Sequence, residues 1–429
     1  MAAAVVGFFA DDLTGASDVL ARAHRHGLDA ALVLDPATGL PDADVVGIAG
    51  TARSLSGAEL EAEVRAGLVP IAARPDLDVV LYKVCSTFDS SPTTGSIGRG
   101  IELLAEAFPR HGPVPVAPAQ PDFGRYTAFS NHFGRSGDAV HRLDRHPVMA
   151  HHPSTPMHEA DLRRVLGEQL TGTPDLPAVQ LPAHADGSFA RRWAEERTGR
   201  GPAFVVDATT EEDMDRVAAA LLDDPGPGPA LVVGSGGVMA ALARRRGRSA
   251  PVPPSGARAT GPVLVVSASA SAVTGDQIGD AVGAGWCEVA VPLPGEDDDG
   301  AWVSRVVDGL RRGEHVVAHT VRGPQDERLR DGPVSPRAVG GRLAEAVRAA
   351  VTDGHTRDVM VCGGDTSSHA LAALGVRELR VTDQFVPVGP ICRTDDDAVP
   401  AGCRLVLKGG QVGPVDILRR FADGLEEAR

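Results

Sequence analysis

The chain has 429 residues, 43% of them hydrophobic, 23% charged and only 4% aromatic. That length exceeds one ordinary core and predicts two domains, each of roughly 150–250 residues and filled by Ala, Val and Leu rather than by rings. A net charge of -15 argues against a protein that holds nucleic acid or an anionic membrane surface, although backbone amides and a few cations can still seat a phosphate.

The first apolar run, Ala4–Ala10, predicts a strand. It lacks a basic leader and meets two aspartates at once, so a strand rather than a signal peptide is expected. No run approaches the roughly 20 apolar residues needed to cross a bilayer. A helix is expected over Thr14–His26. Between strand and helix stands Asp11-Asp12-Leu13-Thr14-Gly15. Carboxylates at the C-terminal end of a strand lie where α/β proteins bind ligands. One of them could accept a proton from a substrate hydroxyl or help place a metal. Asp12 or Thr14 could instead cap the helix, but a cap needs only one residue.

Strands follow at Ala30–Leu34, Asp44–Gly50, Val79–Val84 and Val114–Ala117, with helices at Ser56–Arg74 and Ile97–Phe108. Short apolar runs alternating with helices are the pattern of a buried parallel sheet. Thr51 and Arg53 follow one strand end, and an arginine there could fork onto a carboxylate. Lys83 follows another, beside Ser86, Thr87, Ser90 and Ser91.

From about Gly112 to Pro156 the pattern lapses into Pro, Gly, His and Arg, which predicts a binding loop carrying Asp122 and Arg125. Its histidines, including the adjacent His151 and His152, match no HExxH-type ligand spacing, so no metal site is expected. A helix is predicted over Thr155–Leu170. Strands are then expected at Ala203–Asp207 and Ala230–Val233, a helix at Glu211–Leu222, and a linker from Arg244 to Gly261. Gly234-Ser235-Gly236-Gly237 reads as a close-approach turn.

A second α/β unit is predicted from Pro262. Its strands are Val263–Ser267, Glu288–Pro292, His315–Thr320, Asp358–Cys362 and Arg404–Leu407, with helices Thr274–Ala284, Ala301–Arg312 and Arg337–Thr352. Two strand–glycine–helix turns stand out. One is Cys362-Gly363-Gly364-Asp365-Thr366-Ser367 before a helix at His369–Leu374. The other is Lys408-Gly409-Gly410-Gln411-Val412-Gly413 before a helix from Pro414. Glycines admit a ligand close to the backbone, and helix N-terminal amides favour anions. The turn Ser267–Gln277 adds hydroxyl residues. No GxxxxGK[ST] or well-placed GxGxxG is present, which disfavours a P-loop NTPase or a dinucleotide dehydrogenase. The fold class expected is α/β: two domains with mostly parallel sheets and a cleft between them. The five cysteines form no CxxC pair and read as reduced thiols of a cytoplasmic protein.

The blocks Ala10–Asp18, Tyr82-Lys83 with Ser86-Thr87, Pro118–Arg125, His152–Met157, Asp207–Thr209, Val233–Ser235, Ser267–Gln277, Gly363–Ser367 and Lys408–Gly413 keep one order along nearly the whole chain. Together they resemble the four-carbon acid sugar kinases. The resemblance implies an N-terminal domain, 1–250, for a small sugar acid such as a tetronate or 3-oxo-tetronate, and a C-terminal domain, 251–429, for ATP. It implies substrate contacts at Asp11, Asp12, Arg53, Lys83, Ser86, Thr87, Asp122 and Arg125. On the ATP side it implies Ser267, Ser269, Thr274, Gln277, Gly363, Gly364, Asp365, Thr366, Lys408 and Gly410. Mg2+ is expected on the phosphates with few protein ligands, and a homodimer is compatible with this reading. Asp12, with Asp11 second to it, is expected to take the hydroxyl proton; spacing does not separate the two.

Most members of that family follow the lysine with Asp-Ser-Thr-Leu-Arg-Gly. This chain reads Cys85-Ser86-Thr87-Phe88-Asp89-Ser90. An acid is gone at Cys85 and a cation has become Asp89, which removes an expected anion clamp and points to a larger, oxidised or branched acid such as 3-oxo-isoapionate. The smaller departure Lys408-Gly409-Gly410 replaces Lys-Ser-Gly. Readings from other classes are a two-domain sensor that binds without turnover, and a sugar-acid dehydrogenase or dehydratase.

Overall fold

The computed structural model describes residues 5–109, 111–152, 155–172, 175–223, 226, 228–251, 258–296, 300–331, 335–363, 365–386, 389–395 and 401–424. The chain forms two compact units. One comprises Met1–Ala30 and Pro36–Pro251; the other comprises Ala31–Asp35 and Val252–Arg429.

Strands β1 (Val6–Ala10), β2 (Ala30–Val33), β3 (Val45–Ala49), β4 (Val79–Lys83) and β5 (Val114–Ala117) open the chain. Strands β6 (Arg125–Ala128), β7 (Asn131–Ser136), β8 (Ala139–Arg142), β9 (Ala178–Val179), β10 (Ala203–Val206) and β11 (Ala230–Gly234) follow. The first unit carries a parallel sheet in the order β3-β1-β4-β11-β5-β10-β9. Strands β1, β4 and β11 are buried along their whole length, as the uninterrupted apolar runs require when helices cover both faces. Helices Leu13–Arg25, Gly57–Ala72, Ile97–Ala107, Glu211–Leu222 and Gly236–Arg246 belong to this unit.

The segment expected to be irregular holds a three-stranded antiparallel sheet, β6-β7-β8. Its strands are short and rich in Arg, His, Ser and Gly, so they offer no apolar run for sequence reasoning to find. The helix expected over Thr155–Leu170 spans only Leu162–Gly167. Asp161 is its N-cap, and the residues before it are extended: the His132 amide bonds the Ala160 carbonyl at 2.8 Å. Arg244, expected in a linker, ends a helix instead and is held by Asp215 at 2.7 Å and by Glu211 at 2.5 Å.

The second unit contains β12 (Val263–Ser267), β13 (Cys287–Ala290), β14 (Val316–His319), β15 (Asp358–Cys362), β16 (Glu378–Val386), β17 (Gly389–Thr394) and β18 (Arg404–Lys408). Strands β13-β14-β12-β15-β18 run parallel. The antiparallel pair β17 and β16, absent from the sequence reading, extends this sheet, and β2 pairs with β16 in the same unit. Helix Asp365–Ala373 starts four residues earlier than expected, and helix Ile417–Asp423 follows β18.

Candidate functional site

In the first unit, the parallel register places Ala10 beside Lys83, so the turn after β1 and the loop after β4 leave the sheet together. The Asp11 amide bonds the Lys83 carbonyl at 3.0 Å, and the Arg53 amide bonds the Asp11 carbonyl at 3.1 Å. Backbone pairing alone therefore gathers Asp11, Asp12, Arg53 and Lys83, which the sequence spreads over more than 70 positions.

The two aspartates differ. Asp12 is the N-cap of helix Leu13–Arg25: its Oδ1 accepts the Gly15 amide, and its Oδ2 accepts Arg53 Nη1 at 2.9 Å. Burial pushes against ionisation here, but Arg53 and Lys83 outweigh it and hold the Asp12 carboxyl below the usual range. Asp11 has no such partners. Among the described residues its Oδ1 is buried without a hydrogen bond, and its Oδ2 has the Cys85 amide at 3.4 Å. Burial, and then the charge of Asp12, push its pKa up to about 7. Spacing could not separate these neighbours, whereas their surroundings give one a fixed charge and the other a titratable proton.

Lys83 is buried, and its ammonium donates to the Val84 carbonyl at 2.8 Å. A Cβ on Gly15 would stand 2.7 Å from Lys83 Nζ, so the glycine is what lets the ammonium reach the helix N-terminus. Arg53 is committed on both sides. Besides Asp12, it gives Nη2 to both oxygens of Asp89 at 2.9 Å. Thr87, expected to face substrate, donates its hydroxyl to Asp89. The Ser86 carbonyl is held by His132 Nε2 at 2.8 Å, and His132 Nδ1 meets Thr127 Oγ1 at 3.0 Å. His132 is fully buried, which lowers its pKa to about 4, so it stays neutral and acts as a brace from β7 to the substrate loop.

Arg125 and Asp122 are not brought together. Asp122 turns to the buried Arg22 at 2.5 Å. Arg125 stacks over Phe123 at 5.4 Å, donates to the Gly124 and Arg135 carbonyls at 3.2 Å each, and keeps a buried Nε without a partner. The Cys85 thiol lies within electrostatic reach of Arg53, Lys83 and Arg125. Among the described residues, neither Lys83 nor Arg125 has a carboxylate within ion-pair distance, whereas Arg53 has two. Asp89, His132 and Thr155 join these contacts without having been among the expected ones. The signals the sequence carries for the first two are the departure from the family pattern at Asp89 and the histidine-bearing stretch that holds His132.

In the second unit, the strand ends Ser267, Cys362 and Lys408 are level with one another across β12, β15 and β18. Ser267 Oγ accepts the Ser269 amide at 3.3 Å, and Ser269 Oγ accepts the Ser271 amide at 3.3 Å, giving a small hydroxyl-lined turn. A Cβ on Gly410 would fall 2.6 Å from Ser269 Oγ. Gly363 has φ +124°, a conformation that side chains resist, and its amide bonds the Lys408 carbonyl at 3.0 Å. Lys408, Thr274 and Gln277 serve the loop itself. Lys408 Nζ donates to Thr274 Oγ1 at 3.1 Å and to the Gly409 carbonyl at 3.0 Å, and Thr274 Oγ1 donates to the Gly410 carbonyl at 2.7 Å. Gln277 Nε2 reaches the carbonyls of Val412, Gly413 and Pro414 at 3.0–3.1 Å. Gly364 and the side chains of Asp365 and Thr366 lie outside what is described.

Residues 6–242 match a family described as a sugar-binding N-terminal domain, and residues 264–418 match one described as a nucleotide-binding C-terminal domain. The chain is 32% identical to a 3-oxo-isoapionate kinase of Paraburkholderia graminis, over 98% of this chain and 94% of that protein. The chain belongs to the four-carbon acid sugar kinase family. Its similarity to other relatives is as complete. It is 30% identical to a 3-oxo-tetronate kinase of Cupriavidus necator (96% and 95% covered), and 29% identical to a D-threonate kinase of Bordetella bronchiseptica (99% and 98% covered). Solved structures share the fold of this sugar-acid kinase. A Salmonella typhimurium protein described as a putative tRNA synthase has a TM-score of 0.79 at 23% identity, covering 97% of this chain and 98% of its own. A Haemophilus influenzae protein has 0.73 at 22%, covering 96% and 98%. The kinase therefore takes a sugar acid and ATP as substrates, and the reading of the chain as a non-catalytic sensor is not favoured. Among the described residues, no helix is long and apolar enough to cross a membrane.

Proposed function

We propose that this kinase phosphorylates a hydroxyl of a branched or 3-oxo sugar acid of the 3-oxo-isoapionate type, with Asp11 rather than Asp12 receiving the hydroxyl proton. The carrying observation is the contrast within the pair. Asp12 has both oxygens occupied, by Gly15 and Arg53, while Asp11 keeps a buried, unpartnered Oδ1 and a pKa of about 7. A base works best when its pKa lies near the working pH, and it needs a free lone pair.

In this reading the first unit binds the acid. The substrate carboxylate pairs with Lys83 and Arg125, which have no carboxylate within ion-pair distance among the described residues, and the Ser86 region contacts its hydroxyls. The second unit binds ATP at the turns of Ser267, Gly363 and Gly410, where small residues let a ligand come close to the backbone. Transfer forms a bond from the substrate oxygen to the γ-phosphorus as the bond to the β,γ-bridging oxygen breaks. The proton passes to Asp11 Oδ1 and ADP leaves. The reaction depends on positioning and charge neutralisation more than on covalent chemistry. Mg2+ would travel with the phosphates and neutralise their charge. Such an ion keeps most of its ligands from phosphate and water. We place the enzyme in the cytoplasm, where ATP is available and its five free cysteines stay reduced.

The 3-oxo-isoapionate assignment is supported by the Paraburkholderia graminis relative and by the neutral thiol of Cys85, which leaves more room and less negative charge than an aspartate beside the two cations. The test is ADP release with a panel of 3-oxo-isoapionate, both 3-oxo-tetronates and D-threonate. Highest kcat/KM for 3-oxo-isoapionate supports the assignment. Preference for a tetronate removes it, and ADP release independent of any acid removes the acid-binding site as well.

A further inference from the structure

Behind the acid-binding residues lies a carboxylate that the reaction does not use directly. The Asp89 side chain is wholly buried, at 0% exposure. Arg53 Nη2 donates to both of its oxygens at 2.9 Å, Thr155 Oγ1 donates to Oδ2 at 2.9 Å, and Thr87 Oγ1 donates to Oδ1. His152 Nδ1 stands 3.9 Å from Oδ2 and lies 2.9 Å from Thr155 Oγ1. These donors come from three separate places: the turn after β3, the loop after β4 and the stretch before helix Leu162–Gly167.

With both oxygens filled by the chain, Asp89 has nothing left to offer a substrate. Its influence leaves through Arg53. A guanidinium is planar and rigid, so fixing one edge fixes the other. The edge held by Asp89 is Nη2, and the opposite nitrogen, Nη1, is the one that lies 2.9 Å from Asp12. The charges point the same way. One guanidinium set between two carboxylates has no net positive charge to spare for a substrate anion, whereas Lys83 and Arg125 do.

We propose that Asp89 is a positioning residue of this kinase: it clamps Arg53 so that the guanidinium holds Asp12 and is withheld from the substrate, leaving Lys83 and Arg125 to bind the acid. This rests on the reading of the Asp11 site as the acid-binding site.

The experiment compares Asp89→Asn, Arg53→Gln and the double variant in the full chain, measuring kcat, KM for the sugar acid, KM for ATP and Tm. Asp89→Asn is expected to lower kcat by roughly tenfold or more, the scale on which a misplaced active-site group acts. KM for ATP should stay unchanged, and the double variant should be no worse than Arg53→Gln alone, because the two residues act as one unit. A fully active Asp89→Asn, or effects that multiply in the double variant, would overturn the proposal. If Asp89→Asn does not fold, Arg53→Gly with millimolar guanidinium asks the same question. Rescue of kcat supports an anchored guanidinium site, and no rescue overturns it. Asp11→Asn is run alongside. If it is inactive while Asp89→Asn is fully active, only the present inference fails; if it is itself active, the reading of Asp11 as the proton acceptor fails.

Discussion

Asp11 and Asp12 are adjacent in sequence and opposite in physical chemistry. Because Asp11 is held neutral by burial, its folded pKa is raised above the unfolded value. The stability this contributes is fully present below the ordinary aspartate pKa and is lost as pH rises through about 7. Turnover runs the other way, since the base must be ionised. We therefore expect kcat/KM to rise with pH through an apparent pKa near 7, read from a pH–rate profile. Asp11→Asn should lower kcat by about 10²–10⁴-fold, the usual worth of a general base, and raise Tm at pH 8 more than at pH 5. An Asn variant with lower Tm at pH 8 would sink the account of the buried proton. Asp12 has the reverse sign: its depressed pKa gives stability present above the ordinary aspartate value and lost as pH falls through the folded pKa. Asp12→Ala should cost roughly 1 kcal/mol or more for the lost cap alone, and Asp12→Asn, which can still cap, should cost less. Thermal melts at pH 7 compare the two.

At the level of elements, the sites depend on short contacts that only glycine permits. Gly15→Ala would put a methyl 2.7 Å from Lys83 Nζ, the free end of a flexible side chain. We expect the helix to survive, the ammonium to move, and KM for the sugar acid to rise severalfold with KM for ATP unchanged. Gly410→Ala meets Ser269 Oγ in the second unit and should show the opposite split, a higher KM for ATP alone. Steady-state kinetics with each substrate varied distinguishes them; identical effects on both KM values would disprove the assignment of one ligand to each unit. The elements themselves were unequally legible. Strands β1, β4, β12 and β15 read directly as apolar runs because both faces are covered. Strand β16 alternates buried Leu379 and Val381 with more exposed Glu378, Arg380 and Thr382, a period-two signal the sequence reading passed over. Strands β6 to β8 carry no such signal, because their pairing rests on backbone bonds and on Asp207, which takes the Phe129 and Ser130 amides at 2.6 and 2.9 Å.

Across the whole chain, one strand belongs to the unit its sequence position does not suggest. Residues 31–35 are counted with the second unit, where β2 covers β16 in antiparallel register, Leu379 opposite Leu32. A fragment of residues 252–429 would therefore lack a strand of its own sheet and expose an edge bearing unpaired backbone groups. Such a fragment should melt lower than the second unit in the full chain, or self-associate on size exclusion. A stable monomeric fragment would show that β2 is dispensable.

The sequence by itself determined the class of fold, the family, and which residue types stand at the strand ends, because these follow from local periodicity and contiguous motifs. It also picked out Asp11, Asp12, Arg53 and Lys83, since each directly follows or ends an apolar run. It could not say which aspartate keeps a free oxygen, that Arg53 is already spent on two carboxylates, or that Asp89 is an anchor. Those depend on burial and on partners tens of residues away, and only the tertiary structure brings such partners within hydrogen-bond distance.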